Sequence, residues 1–522
     1  MKVINGLYSG VSTVELDDIA AETAAMLSNE HPDYAILAAR IEVSNLHKET
    51  KKSFSEVIED LNIAGNGNNP LHTKMDEKFC EIVKKNDEVL NSTIIYDRDF
   101  SFSYFGIKIF EKEYLRKING KIVERPQHMF MRIAVAIHGS DIPSVIETYN
   151  LISGKYYMPS ESAMRNAGFY KAQLMSACCL SMKSDSIEGI YSTVKEFALL
   201  SRSGMTVGMN IHCIRAKGSY IAGTNGNSNG IMPMLRVFNG TARGSHHGGK
   251  KESSFLTIYL EPWHADIFDF LNLKRTSGKD EQRARDLSYA LWVPDLFMKR
   301  VREDAEWCLM CPHDSEILQN LFGDDFEEKY TQFEREGRFN RKVKARQVWD
   351  AIYESQMETG GPMILYKDNC NRKSNQSNIG TLLSSSHTGE MMSVTSSSEI
   401  PTCASGTVCL DMFVQQDKSF DFSKLKEYVK VITRSLNKVL EVNYYRTPSA
   451  EEPSSRNKPI AIAVQGLADV FILMRFPFES DDAKLLNQQI FETIYYGAME
   501  ASCELAQKDG PYSTYAGSPV SK

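Results

Sequence analysis

The sequence predicts an α/β protein whose first third is mainly helical and whose remainder alternates short strands with helices. Three observations carry this expectation. A helical apolar periodicity persists to about residue 150, the texture changes after about residue 170, and the strand-like runs beyond that point are spaced by helical patterns. Alternation of this kind predicts a parallel sheet or barrel wrapped by helices.

From Pro32 to His47, the residues Ile36, Ala39, Val43 and Leu46 recur at spacings of three and four, with Pro32 and Asp33 at the start, which predicts a helix. Helical register continues through residues 52 to 150, as in "SFSEVIEDLNI" and "DIPSVIETYNLI", broken by the turn-rich "AGNGNNP". Further on, "SFLTIYLEP" alternates toward strand, and "RARDLSYALWVPDLFMKRV" reads as a helix on either side of Pro294. The acidic then basic blocks of "DDFEEKYTQFEREGRFNRKVKAR" read as a solvated helical face. "DDAKLLNQQIFETIYYGAMEASCELAQK" predicts a long helix ahead of the polar ending "GPYSTYAGSPVSK". No internal repeat and no long linker interrupts these elements.

With 522 residues, 42% of them hydrophobic, the chain can bury a substantial interior. A formal net charge of -7, with Lys and Arg spread along the chain, gives no footprint for nucleic acid and points to small-molecule or protein partners. No window approaches a membrane span, and "MKVINGLYSGVSTVELDD" lacks the apolar core of a signal peptide, so a cytoplasmic protein is expected. The ten cysteines are scattered, which in a reducing compartment means free thiols, redox chemistry or occasional metal binding.

The stretch "RAKGSYIAGTNGNSNG" (Arg215 to Gly230) is rich in Gly, Asn and Ser. Such a loop can approach phosphate closely, or it can be a plain surface loop, and it matches neither a P-loop nor a dinucleotide fingerprint. The paired His246 and His247 have no companion at metal-ligand spacing and read as a solvated loop. "CLMC" (Cys308, Cys311) has redox spacing but no second ligand pair, so two core cysteines are expected, and Cys178 and Cys179 read as small buried residues. No metal site is expected. "TLLSSSHTGEMM" places Ser386, His387 and Glu390 close together, yet a serine nucleophile needs a strained elbow and a histidine from elsewhere in the fold. A hydrolase reading is set aside.

Several blocks together, among them "LYSGVSTVELDDIAAETAA", "YDRDFSFSYFG", "CIRAKGSYIAGTNGNSNG", "IYLEPWHADIFDFL", "LYKDNCNRKSNQ" and "GLADVFILMRFPFES", resemble the large (α) subunit of class I ribonucleotide reductase in its eukaryotic or virus-related form. The resemblance implies a partial ATP-cone over residues 1–51, a helical N-terminal domain over 52–170 and part of a ten-stranded α/β barrel over 171–522. It also implies a chain that starts inside the ATP-cone and stops before the family's P-T-A-S-T phosphate loop, its paired tyrosines and its cysteine tail.

In that family a cysteine thiyl removes the 3′ hydrogen of a ribonucleoside diphosphate, a glutamate acts as base, an asparagine orients the intermediate, and two cysteines supply electrons. The resemblance places the base at Glu390 and one reducing cysteine at Cys403, and a substrate-binding position at Ser176. The radical cysteine is replaced by Thr388, the asparagine by Ser386 and the first reducing cysteine by Ala177. Cys178 lies one step further along, on the opposite strand face, which leaves Cys403 without a disulfide companion. "ESAMRNAG" brings Glu161 and Arg165 into a phosphate-contacting stretch, and "GGKKESSF" puts Glu252, Ser253 and Ser254 into the substrate-reading loop. Effector-binding positions match at Asp185, Ser186, Arg215 and Ile221, so a dNTP or ATP effector is expected, with no covalently bound cofactor. The implied partners are a second copy of the chain or other reductase subunits. These readings add up to a degenerate, non-catalytic paralogue, with two alternatives: an active reductase using displaced thiols, and a fragment without a role of its own.

Overall fold

The structure, a computed structural model, describes residues 2–5, 8–66, 74–245 and 256–522. The histidine pair and the altered substrate-reading loop therefore lie outside the described residues. Two compact units are present: Met1–Leu174 with Ala404–Tyr444 and Ile462–Asp509, and Met175–Cys403 with Tyr445–Ala461 and Gly510–Lys522.

The first unit is built mainly of helices. Thr13–Met26 begins with a capping box, in which Ser12 Oγ accepts from Glu15 N at 3.2 Å and the Glu15 carboxylate accepts from Ser12 N at 2.9 Å. It packs on Asp33–Glu49, the helix expected from Pro32 onward, which buries Ala39, Val43 and Leu46. Ile36 of the same periodic set stays exposed in the first turn. The helix Pro126–His138 is buried on nearly all sides, and its Arg132 is held by Glu124 at 2.6 and 3.0 Å with both side chains fully enclosed. Losing one partner of such a pair would strand a charge in the core.

The main sheet contains, in chain order, β1 (Tyr157–Pro159), β2 (Ala177–Ser181), β3 (Thr206–Asn210), β4 (Leu256–Leu260), β5 (Ser288–Val293), β6 (Met363–Tyr366), β7 (Thr402–Cys409) and β8 (Ile460–Gln465). The spatial order is β6-β5-β4-β3-β2-β7-β8, with β1 also on β7. Strands β2 to β6 run parallel, joined through helices such as Ile187–Arg202, Ile231–Ser245 and Ala345–Thr359. This confirms the sheet wrapped by helices that the alternation predicts.

The segment expected to be helical before Pro294 is strand β5, a correction to the sequence reading. "SYALWV" is buried on both faces, and a strand buried on both faces reads as a continuous apolar run that periodicity cannot separate from a helix. Past Pro294 the expected helix is present, Asp295–Arg302. The charged segment after residue 323 also divides. Gly323–Arg335 is a helix that buries Phe326, Tyr330 and Phe333, whereas Arg341–Lys344 is a strand paired with Glu306–Leu309.

Alternation along the parallel strands sorts the side chains. Cys178, Leu180, Val207, Met209, Ile258, Leu260, Leu291 and Val293 pack outward against the helices. Tyr259, Ala290, Trp292 and Leu365 form a separate inner cluster with Leu382. That inner face positions the site.

Candidate functional site

Residues 381–396 contain no regular secondary structure, yet Ser384, Ser385 and Ser386 are fully buried. The loop is admitted by Gly208 of β3, where a Cβ would come within 1.9 Å of the Ser385 carbonyl oxygen. Side chains of the inner face then fix it. Tyr259 OH donates to Ser386 O at 2.6 Å, and Thr257 Oγ1 lies 2.8 Å from both the carbonyl oxygen and Nδ1 of His387. The turn closes on itself: Gly389 N donates to Ser386 O at 3.2 Å, Met391 N to Ser386 Oγ at 3.3 Å, and Ser385 Oγ to Met391 O at 2.7 Å. Gly389 takes φ +82°, a conformation that suits glycine.

The tip presents two exposed side chains, Thr388 and Glu390, with His387 half-buried between β4 and the turn. His387 and Thr388 line a cavity of about 330 Å³ with Thr257, Lys274 and Ser288. Burial holds His387 below its ordinary pKa, offset by the nearby Glu390 carboxylate. Ser386 Oγ bonds within the turn and makes no bond to His387, so no nucleophile and base are paired here.

Beneath the turn lies a cluster of Ala177, Cys179, Met391 and Cys403. Ala177 stands directly opposite Cys403 in the antiparallel pairing of β2 with β7, and Cys178 opposite Thr402. Cys178 packs outward, the orientation expected of it. Cys179, two steps from Ala177, shares the inner face with Cys403, so Cys403 does have a cysteine companion within its cluster. The strand period of two puts residues 177 and 179 on one face, a signal that the step from Ala177 to Cys178 does not carry. Burial pushes the Cys403 pKa up to about 12, with the Glu390 charge adding to it, and burial likewise raises that of Cys179. Both therefore stay thiols at neutral pH.

The expected effector residues fall at the other end of these strands. Arg215 and Asp185 form an ion pair and line a cleft of about 610 Å³ with Asn210, Cys213, His313 and Glu316. Ser186 instead caps the helix Ile187–Arg202, accepting from Gly189 N at 3.0 Å. Ile221 sits half-buried in a small hairpin, Tyr220–Ile221 with Gly226–Asn227; neither Ser186 nor Ile221 is among the described residues lining the cleft. The glycine-rich stretch is tied at both ends by Asp266, which accepts from Lys217 N at 3.0 Å and Ile231 N at 3.1 Å. Ser176 precedes β2 and its carbonyl accepts from Thr206 N at 2.7 Å. Glu161 is ion-paired with Arg165 one helical turn away. Cys308 and Cys311 are buried and diverge, Cys308 donating to Glu334 at 3.2 Å and Cys311 lying 3.0 Å from Ser219 Oγ. Among the described residues no group of three or more His, Cys, Asp or Glu is arranged to hold a metal ion.

Comparison with known families decides the relationship. Residues 176–522 match the ribonucleotide reductase barrel domain, residues 100–171 its all-alpha domain, and residues 1–49 the ATP cone domain. The chain belongs to the ribonucleotide reductase large-subunit family. Its sheet is accordingly part of the reductase α/β barrel, preceded by a helical and ATP-cone region. Similar reductases include the ribonucleoside-diphosphate reductase large subunits of Danio rerio (58% identical), Vaccinia virus strain Copenhagen (57%) and Caenorhabditis elegans (54%). All of this chain is covered in each comparison, and it spans 66%, 68% and 66% of those reductases respectively. No helix among the described residues is long and apolar enough to cross a membrane.

Proposed function

We propose that this chain is a non-catalytic member of the reductase family that acts through nucleotide binding and assembly with reductase subunits. The observation that carries this reading is Thr388 at the exposed tip of the buried-stem loop. The family reaction, ribonucleoside diphosphate to deoxyribonucleoside diphosphate, needs a thiyl there, and the O–H bond of a threonine is too strong to serve as a reversible radical carrier. Ala177 opposite Cys403 and Ser386 in the turn support the same conclusion. Glu390 would keep its place as a base without a radical to work with.

Asp185 and Arg215 in one cleft support a retained effector site, in which Asp185 bonds a sugar hydroxyl and Arg215 leaves its ion pair for phosphate. The expected partners are a second copy of the chain or other reductase subunits, in the cytoplasm. Purified protein supplied with CDP and a radical-generating small subunit should yield no dCDP. In the same preparation dTTP or dATP should raise the melting temperature, as a ligand of the folded state does, and R215A should abolish the rise. An unchanged rise in R215A would refute the effector assignment.

A second reading, an active reductase using displaced thiols, draws support from Cys179 and Cys403 on one inner face. Turnover that C403A abolishes would establish it.

A further inference from the structure

The first unit contains a cavity of about 370 Å³, separate from the two already described. Its lining carries four cationic side chains, Lys112, Arg116, Lys117 and Arg165, against one carboxylate, Glu113. Glu113 is shared, lying 3.4 Å from Arg165 and 3.8 Å from Lys112, and Arg165 also pairs with Glu161. Among the described residues Arg116 has no ion pair and no side-chain hydrogen bond. Glu124 accepts the Arg116 backbone N–H at 3.2 Å and is itself held by Arg132.

The Arg116 guanidinium lies over the Phe169 ring at 4.0 Å, and that of Arg165 over Tyr114 at 5.3 Å. These ring contacts take none of the N–H donors of Arg116, whereas Arg165 already donates to Glu113 and Glu161. The Nε atoms of both arginines are buried without a hydrogen-bond partner. Burial, with repulsion from Arg132 and Arg165, pushes the Arg116 pKa down. A half-buried guanidinium whose Nε lacks a hydrogen-bond partner, with Glu124 attracting it but bonded to Arg132, is costly until an anion meets it.

We propose that this cavity binds the phosphate group of a small phosphorylated molecule, with Arg116 as the principal ligand and Arg165 and Lys117 completing the charge match. The volume suits a small ligand, and the planar fork of arginine matches phosphate oxygens bidentately. The cavity includes Arg165 and Asn166 at the C-terminal end of the helix Glu161–Asn166, away from its first turn. Inorganic pyrophosphate and the phosphates of a nucleotide share this chemistry.

Calorimetric titration of the full chain with pyrophosphate tests the proposal. Binding should weaken roughly tenfold or more in R116M, be partly retained in R116K, and be unchanged in R215A, which separates this cavity from the effector cleft. ATP binding that is tighter than pyrophosphate and equally dependent on Arg116 identifies a nucleotide as the source, whereas equal affinities identify the inorganic anion. Melting temperatures without ligand report whether R116M folds; should it not, K117E at the exposed rim should weaken pyrophosphate several-fold. Absence of pyrophosphate binding, binding unaffected by R116M and K117E, or binding lost only in R215A would overturn the proposal.

Discussion

A single missing methyl group at Gly208 lets the loop cross the inner face of the sheet, because any Cβ there would collide with the Ser385 carbonyl. Gly208→Ala should therefore destabilise the protein by about 1–3 kcal/mol, the range for overpacking a close contact, and urea unfolding would measure it. Tyr259 acts on the same segment through one hydroxyl. Y259F removes one of the two bonds to Ser386 O, that from Gly389 N remaining, and should cost about 1 kcal/mol in the same assay. On the proposed assignment, supplying sulfur alone, as T388C, should not yield dCDP, because Ala177 and Ser386 remain; measurable turnover by that single variant would refute the roles proposed for those two positions. The proposed replacements at Thr388, Ser386 and Ala177 rest on residue identity, which the sequence records directly. The position of Cys179 followed from strand period, whereas its packing with Cys403 and Met391 depends on a long-range pairing of β2 with β7.

Among the elements, the strands show where pattern reading works and where it fails. β4 is recognisable from its alternation, but β5 is enclosed by helices on one face and by Tyr259, Leu365 and the loop on the other, so its apolar run has no period to read. The helix Ile187–Arg202 joins β2 to β3 and begins at Ser186, whose hydroxyl caps Gly189 N. S186A should cost about 1 kcal/mol through the lost cap, without lowering the affinity for dTTP beyond what that destabilisation accounts for. A large, specific loss of dTTP binding would instead make Ser186 a direct ligand, the role that the resemblance gives it.

At the scale of the whole molecule, buried histidines set the response to acid. His212 is fully enclosed, its Nε2 is 2.7 Å from Leu383 O, and burial holds its pKa near 3; His128 and His138 are likewise held at about 3 and about 4. A depressed folded-state pKa means that the unfolded chain binds more protons between the ordinary value near 6.5 and the folded value. The stability these groups contribute is present above about pH 6.5 and is lost as the pH falls toward 4. Each histidine adds a slope of about 1.4 kcal/mol per pH unit inside that window. Urea unfolding at a series of pH values should show the decline, and H212Q should make it shallower by about that amount.

The sequence by itself determined the α/β class and the family, and residue identity alone carries the proposed roles of Thr388, Asp185 and Arg215. These are matters of residue identity and local period, which a linear string records directly. Only the tertiary structure decided that "SYALWV" is a strand, that the serine-rich loop has a buried stem, that Cys179 shares a cluster with Cys403, and that the Arg116 Nε is left without a hydrogen-bond partner. Each of these depends on which distant segment fills the space beside a residue, and burial and charge matching are properties of that neighbourhood rather than of the residue's own stretch of chain.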